Sequence, residues 1–373
     1  MTLRDALADR SIVVVCGAGG VGKTTTSASI AMEAARTKKV IVVTIDPARR
    51  LASALGLDGG IGHAESKVPL PSGYDGALDA AMLDMKTAWD DLVDRYSPTR
   101  AQAERIKTNR IYRGVSEQFI GSQGYMAMER LADLYDKRNY DLIVIDTPPT
   151  RSALDFLEAP KRMTDFIGGS LLRWMAKPYA AAGRIGARAF SFTASPFLRI
   201  ADRVLGSQVL EDMSALVMDF QNMYDGFKER AEQVLALLSS NETGFLVVTT
   251  LEGPPLGEAG FFIDRLVDED LHLAGVVANK VIPPGLADAK AEVPPNGFSQ
   301  QTQDEALRSV RTLQTLAARD VRSLDELRRR SKAEIAPVPL MTHEVNDLEG
   351  LAELAGYVLG ASGDLTGASG TRG

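Results

Sequence analysis

The sequence has almost no cysteine and little histidine: its 373 residues include one Cys, Cys16, and three His. A single thiol excludes an internal disulfide and a Cys-x-x-Cys redox or metal motif. The three histidines, His63, His272 and His343, are far apart in the sequence and lack the spacing of metal ligands. We therefore predict that the protein has no zinc site and that Cys16, which ends an apolar run, is a core residue.

Long apolar runs and an excess of positive charge are also missing. No stretch approaches the roughly 18 apolar residues of a membrane span, and the first ten residues, with Asp5 and Asp9, lack the apolar segment of a signal peptide. The net charge is -7 and the sequence pI about 5.2, which disfavours general binding to nucleic acid. We therefore expect a cytoplasmic protein without a nucleic-acid partner, and 45% hydrophobic residues are ample for a large core.

One short stretch of the sequence contains its most specific motif. Residues 17–25 read GAGGVGKTT and contain the whole phosphate-loop pattern G-x-x-x-x-G-K-[ST], between a β-branched run at 12–15 and a helical pattern at 26–36. Glycines let the backbone approach phosphate oxygens, and the first N–H groups of a helix attract anions. Lys23 is expected to reach the β- and γ-phosphates of a nucleotide, and the Thr24 hydroxyl to bind Mg²⁺. The residues predicted to contact the nucleotide here are Gly19, Gly20, Val21, Gly22, Lys23, Thr24 and Thr25.

Two further buried-strand patterns end in aspartate. Residues 40–45 are followed by Asp46, and residues 140–145 by Asp146. Acidic residues at the carboxyl ends of parallel strands face the ligand in open α/β sheets, so Asp46 is a candidate for the phosphate side of the site. It would also suit the N-cap of a helix at 50–55, and the two roles are compatible. Asp146 has the position of a Walker-B aspartate, which holds Mg²⁺ directly or through water, and residues 147–151 have the position of a switch loop.

The sheet pattern resumes late in the chain. Strands are predicted at 244–250, 273–280 and 335–340, with helices at 254–267, 305–330 and 348–359. Asn279 ends its strand on the same edge as the phosphate loop, where its amide could pair with the edge of a base. The predicted fold class is α/β: a P-loop NTPase with a mainly parallel sheet flanked by helices and an α-helical insertion.

The insertion has an unusual composition. Residues 166–200 contain no Asp or Glu but five Lys or Arg, interleaved with large apolar side chains. One interpretation is a surface that receives a hydrophobic client or touches an anionic membrane. The other is a helical subdomain that packs its apolar stripe on itself and leaves its arginines in solvent. Composition does not decide between them, and residues 209–238 are predicted to form one long amphipathic helix.

Together these stretches resemble the ArsA-type ATPases, which include arsenite-pump ATPases and the targeting ATPase for tail-anchored membrane proteins. The resemblance covers roughly residues 11–359, and the loop at 19–25, the switch-I-like residues 46–48 and the switch-II-like residues 146–150 occur in the family's order. It implies that Asp46 orients or deprotonates the attacking water and that Thr24 and Asp146 bind Mg²⁺. It also implies that Asn279 reads adenine and that the adenine side includes Pro339 and Glu344.

The resemblance also implies a division of the chain. The ATPase core would comprise residues 1–96, 110–158 and 240–360, and the helical subdomain that binds a client or partner would comprise residues 97–109 and 159–239. Residues 361–373 are rich in Gly, Ser and Thr and are predicted to be a disordered tail.

The sequence departs from the family pattern at the phosphate loop. Ala18 stands where the family has a lysine that crosses a dimer interface to the partner's nucleotide, and a trans cation can be worth about 10³ to 10⁵ in phosphoryl-transfer rate. Either turnover is weak, or another cation substitutes; Arg49, Arg50 and Arg151 are the local candidates, although each could instead form a salt bridge. We favour pairing with a lysine-bearing ArsA-like paralogue, with a homodimer as the alternative.

The missing cysteines narrow the function further. The interface zinc of eukaryotic targeting ATPases, the arsenite-sensing cysteines and the bridging cluster of related iron–sulfur reductases all need thiolates that a chain with one Cys cannot supply. The predicted function is a Mg·ATP-hydrolysing dimeric switch that binds and releases a hydrophobic or membrane-associated client, in the cytoplasm or at the membrane periphery. The alternatives are an anion-pump subunit, a scaffold subunit with little hydrolysis of its own, and, less well supported by the charge, a DNA-partitioning ATPase.

Overall fold

The computed structural model describes residues 2–45, 50–57, 59–116, 123–148, 207–290 and 299–360. The chain divides into two compact units. The first unit takes in Met1–Met82, Lys137–Ala153 and Leu238–Gly373, and the second takes in Leu83–Asp136 and Leu154–Leu237.

The described elements alternate between strand and helix in most of the first unit. The strands are β1 (Ile12–Cys16), β2 (Lys39–Thr44), β3 (Ser66–Lys67), β4 (Ala77–Met82), β5 (Leu142–Asp146), β6 (Thr243–Thr250), β7 (Leu273–Val281) and β8 (Glu334–Pro339). The helices are α1 (Leu3–Ala8), α2 (Lys23–Ala34), α3 (Arg50–Ala54), α4 (Met85–Tyr96), α5 (Arg100–Thr108), α6 (Arg110–Val115), α7 (Gln123–Asp136), α8 (Ser207–Gln221), α9 (Tyr224–Leu238), α10 (Gly253–Asp268), α11 (Gln300–Arg330) and α12 (Leu348–Leu359).

All eight strands belong to one sheet of the first unit, in the order β3-β4-β2-β5-β1-β6-β7-β8. Every neighbouring pair is parallel except β3 with β4, so the predicted α/β class with a mainly parallel sheet is confirmed. Because parallel strands share a direction, the carboxyl ends of β1, β2, β5, β6 and β7 meet at one edge. The loop that follows β1 therefore lies beside the ends of β5 and β6.

The central strands are buried throughout because helices cover the sheet. Every residue of β1, β5 and β6 is buried, which is the pattern of a parallel sheet protected on both faces. On one face, Val13 and Val15 of β1 belong to a buried cluster with Ile30 of α2 and Leu354 of α12. Burying each such aliphatic side chain is worth about 1.5 to 3 kcal/mol. The cluster thus fixes α2, whose first residue follows the phosphate loop, against the sheet.

The single long helix predicted over residues 209–238 is wrong, because the structure has two helices, α8 and α9. The chain turns at Asn222 and Met223, where the N–H of Met223 donates to the carbonyl of Phe220 at 3.1 Å, three residues back rather than four. This turn buries Met223 and brings the rings of Phe220 and Phe227 together at a centroid distance of 6.5 Å. Both halves keep the helical period, so the apolar pattern did not reveal the break.

An ion cluster holds together three helices of the second unit. Arg95 of α4 donates to Glu129 of α7 at 2.7 Å and to Asp133 at 2.6 Å. Arg230 of α9 lies 3.5 Å from the second oxygen of Glu129 and donates to Asp136 at 2.7 Å. Glu129 is only 7% exposed, so its charge depends on these arginines for compensation. The Glu129 carboxylate is therefore the common centre of the α4, α7 and α9 contacts.

Replacing Glu129 by glutamine is expected to destabilise the second unit by about 2 to 3 kcal/mol, because it leaves Arg230 next to a neutral group in a poorly hydrated place. Part of the effect is screened by solvent, since the Arg95 side chain is 37% exposed. Urea unfolding followed by tryptophan fluorescence, to which Trp89 on α4 contributes, measures the change. Asp325→Ala, which removes an exposed ion pair with Arg328, is the control and should leave the midpoint unchanged; equal midpoints for both variants would contradict the prediction.

Candidate functional site

The loop between β1 and α2 has a backbone that only glycine adopts without strain. Gly17, Gly20 and Gly22 have φ values of +149°, +77° and +101°. A Cβ atom on Gly17 would collide with the carbonyl oxygen of Val248, and one on Gly22 with the side-chain nitrogen of Asn279. The glycines of the phosphate-loop pattern are therefore required both by conformation and by space.

Lys23 is the first residue of α2 and is only 6% exposed. Its Nζ donates to the carbonyl of Ala18 at 2.8 Å, so the side chain folds back over the loop that precedes it. Gly22, the N-cap of α2, makes no side-chain cap bond to the helix. The beginning of α2 thus presents backbone N–H groups next to a lysine, which is an arrangement that binds phosphate groups.

Two hydroxyl groups converge on one carboxylate oxygen below the loop. Asp146, at the end of β5, is fully buried, and its Oδ2 accepts from the Thr24 hydroxyl and from the Thr44 hydroxyl, each at 2.8 Å. Thr44 ends β2, and the β2–β5 register places it directly opposite Asp146. Hydroxyl and carboxylate oxygens are hard ligands of the kind that Mg²⁺ prefers, so Thr24 and Asp146 fit this metal chemically.

A cavity of about 1050 Å³ opens in front of the loop, a volume at the upper end of the range for small-molecule sites. The loop side of its wall comprises Gly19, Gly20, Gly22, Lys23, Thr24 and Thr25. The opposite side includes Pro339, Leu340, His343 and Glu344, which follow or end β8. The described chain therefore encloses a space large enough for a nucleoside triphosphate beside the phosphate loop.

The end of β7 is bonded to the phosphate loop. The side-chain N–H of Asn279 donates to the carbonyl of Val21 at 2.8 Å, and its Oδ1 accepts from the backbone N–H of Lys280 at 2.9 Å. Nζ of Lys280 lies 3.4 Å from the carbonyl oxygen of Gly20. In this structure the Asn279 amide thus contacts the loop through its nitrogen, and both Asn279 and Lys280 line the cavity.

Cys16 ends β1 and is 1% exposed, which confirms the predicted core position. Burial raises the pKa of its thiol to about 12, and a hydrogen bond with Thr147 opposes that rise only in part. A buried, protonated thiol of this kind is typical of a structural core cysteine.

The structure brings most of the sequence-predicted site residues together. Those that line the cavity are Gly19, Gly20, Gly22, Lys23, Thr24, Thr25, Asn279, Pro339 and Glu344. The side chain of Val21 is buried in the core, and its carbonyl bonds to Asn279. Arg50 lines the cavity as well. Asp46, Arg49 and Arg151 lie outside the described residues.

Sequence reasoning missed Thr44, Lys280 and His343. Thr44 had a signal, since it is a polar residue near the end of a buried strand, beside the predicted Asp46. Lys280 immediately follows Asn279, but its left-handed backbone, with φ of +59°, has no sequence signature in a non-glycine residue. His343 follows β8 in an irregular segment, whose path no periodic pattern describes.

None of the described helices combines the length and apolar character needed to cross a membrane.

The chain is similar to proteins of one ATPase family along most of its length. The family model of the anion-transporting ATPases matches residues 10–360. Among the relatives, an ATPase ASNA1 homolog of Entamoeba dispar is 26% identical over 73% of this chain and 76% of its own. The ATPase GET3 of Malassezia globosa is 24% identical over 96% of this chain and 94% of its own. An arsenical pump-driving ATPase of Halobacterium salinarum is 26% identical over 74% of this chain and 41% of its own.

Proposed function

The chain belongs to the ArsA family of anion-transporting ATPases and is an ATPase. From this premise we propose that it is a dimeric, Mg·ATP-driven switch that binds and releases a hydrophobic or membrane-associated client. The main support for nucleotide binding is the hydrogen-bonded pair of Thr24 and Asp146 beneath a glycine loop, with a cavity of about 1050 Å³ in front of the loop. Two hard oxygen ligands next to an anion-binding helix start are what Mg·ATP requires.

In this proposal each residue of the site has a defined task. Lys23 leaves the Ala18 carbonyl and binds the β- and γ-phosphates, while the N–H groups of residues 19–25 bind the other phosphate oxygens. Thr24 and Asp146 would hold the metal ion, which when bound would neutralise phosphate charge. Thr44 donates to Oδ2 of Asp146 at 2.8 Å and so fixes the carboxylate beside Thr24.

The remaining roles rest on the family resemblance together with position. Asp46 would orient or deprotonate the attacking water, and the adenine ring would lie toward Asn279, Pro339 and Glu344. These three residues line the cavity and lie in or just after β7 and β8. A base in that place would contact Pro339 by an apolar face and polar groups by its edge.

The alanine at position 18 affects which kind of dimer we propose. Ala18 is 9% exposed and supplies only a carbonyl to the site, so the cation that the family places here has to come from elsewhere. Arg50 lines the cavity and is the one of the three candidate arginines that lies within the described residues. We propose a heterodimer with a lysine-bearing ArsA-like paralogue, or a homodimer in which Arg50 provides the charge in cis.

The client role rests on the relatives and on composition. Proteins named ATPase GET3 match this chain over more than nine-tenths of its length, and the resemblance to targeting ATPases is the basis for a hydrophobic client. Residues 97–109 and 159–239 are proposed as the client- or partner-binding subdomain, within a cytoplasmic protein that works next to the membrane. An anion-pump subunit is the second candidate, because the family description and the Halobacterium salinarum relative concern anion transport and arsenicals.

Sedimentation velocity tests the switch. The chain, alone and mixed with a lysine-bearing paralogue, is run with Mg·ADP and with a non-hydrolysable Mg·ATP analogue. We expect dimers to form or compact with the analogue and not with ADP, because only the γ-phosphate draws the switch segments together. Lys23→Ala should abolish the difference. Identical sedimentation in both nucleotides, with and without the paralogue, would contradict the proposal.

A further inference from the structure

We infer that Lys280 is a nucleotide-positioning residue: it fixes the phosphate loop through the Gly20 carbonyl and adds a positive charge to the cavity wall. The inference rests on the proposed function, because it assumes that the loop binds Mg·ATP. It assigns a role to a residue for which the sequence patterns gave none.

The backbone of Lys280 has a conformation that costs free energy for a lysine. Its φ is +59°, in the left-handed region that glycine occupies without strain and that a residue with a Cβ rarely adopts. The Asn279 side chain stabilises it by accepting from the Lys280 N–H at 2.9 Å. Residues in such conformations cluster at active sites and ligand-binding loops, and Lys280 lies in the wall of the cavity.

The side chain of Lys280 puts an ammonium group at the mouth of the loop. Nζ is 3.4 Å from the Gly20 carbonyl oxygen, and the residue lines the cavity together with Lys23. Two other described lysines pair with carboxylates, Lys86 with Asp90 and Lys107 with Asp94. Among the residues that the structure describes, no carboxylate forms an ion pair with Lys280, so its charge is available to a bound anion.

Lys280 and Asn279 together hold two successive carbonyls of the loop. Asn279 donates to Val21 O at 2.8 Å, and Lys280 contacts Gly20 O. In a trans peptide the C=O and the following N–H point in opposite directions. Fixing these carbonyls toward β7 therefore directs the N–H groups of Val21 and Gly22 to the other side of the loop, where the phosphate-loop pattern expects the phosphates.

The inference predicts a loss of affinity without a loss of folding. Lys280→Met keeps the length of the side chain and removes its charge, and Lys280→Gly removes the side chain while relieving the positive φ. Both should weaken Mg·ATP binding about tenfold, because the contact with the loop and a positive charge at the cavity wall are lost together. The KM for ATP should rise by a similar factor and kcat should change by less than about threefold. Lys280→Arg should restore most of the affinity, and Lys280→Gly should melt no lower than the wild type.

The test is a titration of the purified full chain with a fluorescent ATP analogue and Mg²⁺ at two salt concentrations, with thermal melting of each variant. Weaker binding and a shallower salt dependence in the Met and Gly variants, with rescue by Arg, would support the inference. Binding within twofold of the wild type in those two variants, or an equal loss in Lys280→Arg with a lower melting temperature, would overturn it. Tight wild-type binding that Lys23→Ala also retains would instead remove the proposed nucleotide site, which distinguishes the two failures.

Discussion

Lys23→Ala is expected to weaken Mg·ATP binding and to lower ATP turnover by about 10³-fold or more, comparable to the loss of a cation that stabilises the transferred phosphoryl group. Lys23 is 6% exposed, and its Nζ lies at the loop on the Ala18 carbonyl, so the ammonium is already held where the phosphates are proposed to bind. In such a poorly hydrated place a charge interacts more strongly than it would in water. A single truncation should therefore remove most of the function of the site.

Nucleotide titration and steady-state hydrolysis measure this effect, with circular dichroism to establish that the variant folds. Lys332→Ala is the matched control, because Lys332 is an exposed lysine in the segment after α11. The control should behave as the wild type. A Lys23→Ala protein that is folded and still binds Mg·ATP within about threefold of the wild type would contradict the assignment of the site.

Asp146→Asn is expected to reduce turnover by about 10² to 10³ and to raise the Mg²⁺ concentration needed for half-maximal activity. The substitution keeps the shape of the side chain and an oxygen that accepts from the hydroxyl groups of Thr24 and Thr44. It removes the negative charge, and the ligand charge sets much of the affinity of a site for a hard divalent cation. Nucleotide binding without Mg²⁺ should be preserved or improved, since a buried negative charge near the phosphates is removed.

The measurement is a Mg²⁺ titration of ATP hydrolysis at saturating ATP. Asp264→Asn is the control, because Asp264 forms an exposed ion pair with Arg330 and lies on α10, away from the cavity lining. If the half-saturating Mg²⁺ concentration were the same in Asp146→Asn and in the wild type, the metal role of Asp146 would be wrong.

The local parts of the site could be predicted because their signals are contiguous in sequence. Strand, glycine loop and helix follow one another from Ile12 to Ala34, and the structure has the same order. The meeting of Thr24 with Asp146, 122 residues apart, also followed from the sequence, because the carboxyl ends of parallel strands share one edge. The family match along residues 10–360 confirms the resemblance to the ArsA-type ATPases that these motifs indicated.

The parts that could not be predicted depend on register and on irregular backbone. Thr44 reaches Asp146 because β2 and β5 pair with these two residues opposite each other, and a shift by one position would turn the side chain to the other face. Lys280, which contacts Gly20, has a positive φ that no sequence pattern indicates for a lysine. The break between α8 and α9 falls within a continuous amphipathic pattern, so tertiary packing of Met223 decides it rather than local preference.

Steady-state ATP hydrolysis by the purified chain with Mg²⁺, compared with Lys23→Ala and Asp46→Asn, tests the central claim most directly. The account predicts saturable turnover in the wild type, alone or once a lysine-bearing paralogue is added, and its loss in both variants. Turnover that persists in Lys23→Ala and Asp46→Asn at the wild-type rate would contradict the claim that ATP is bound and cleaved at the loop of residues 17–25.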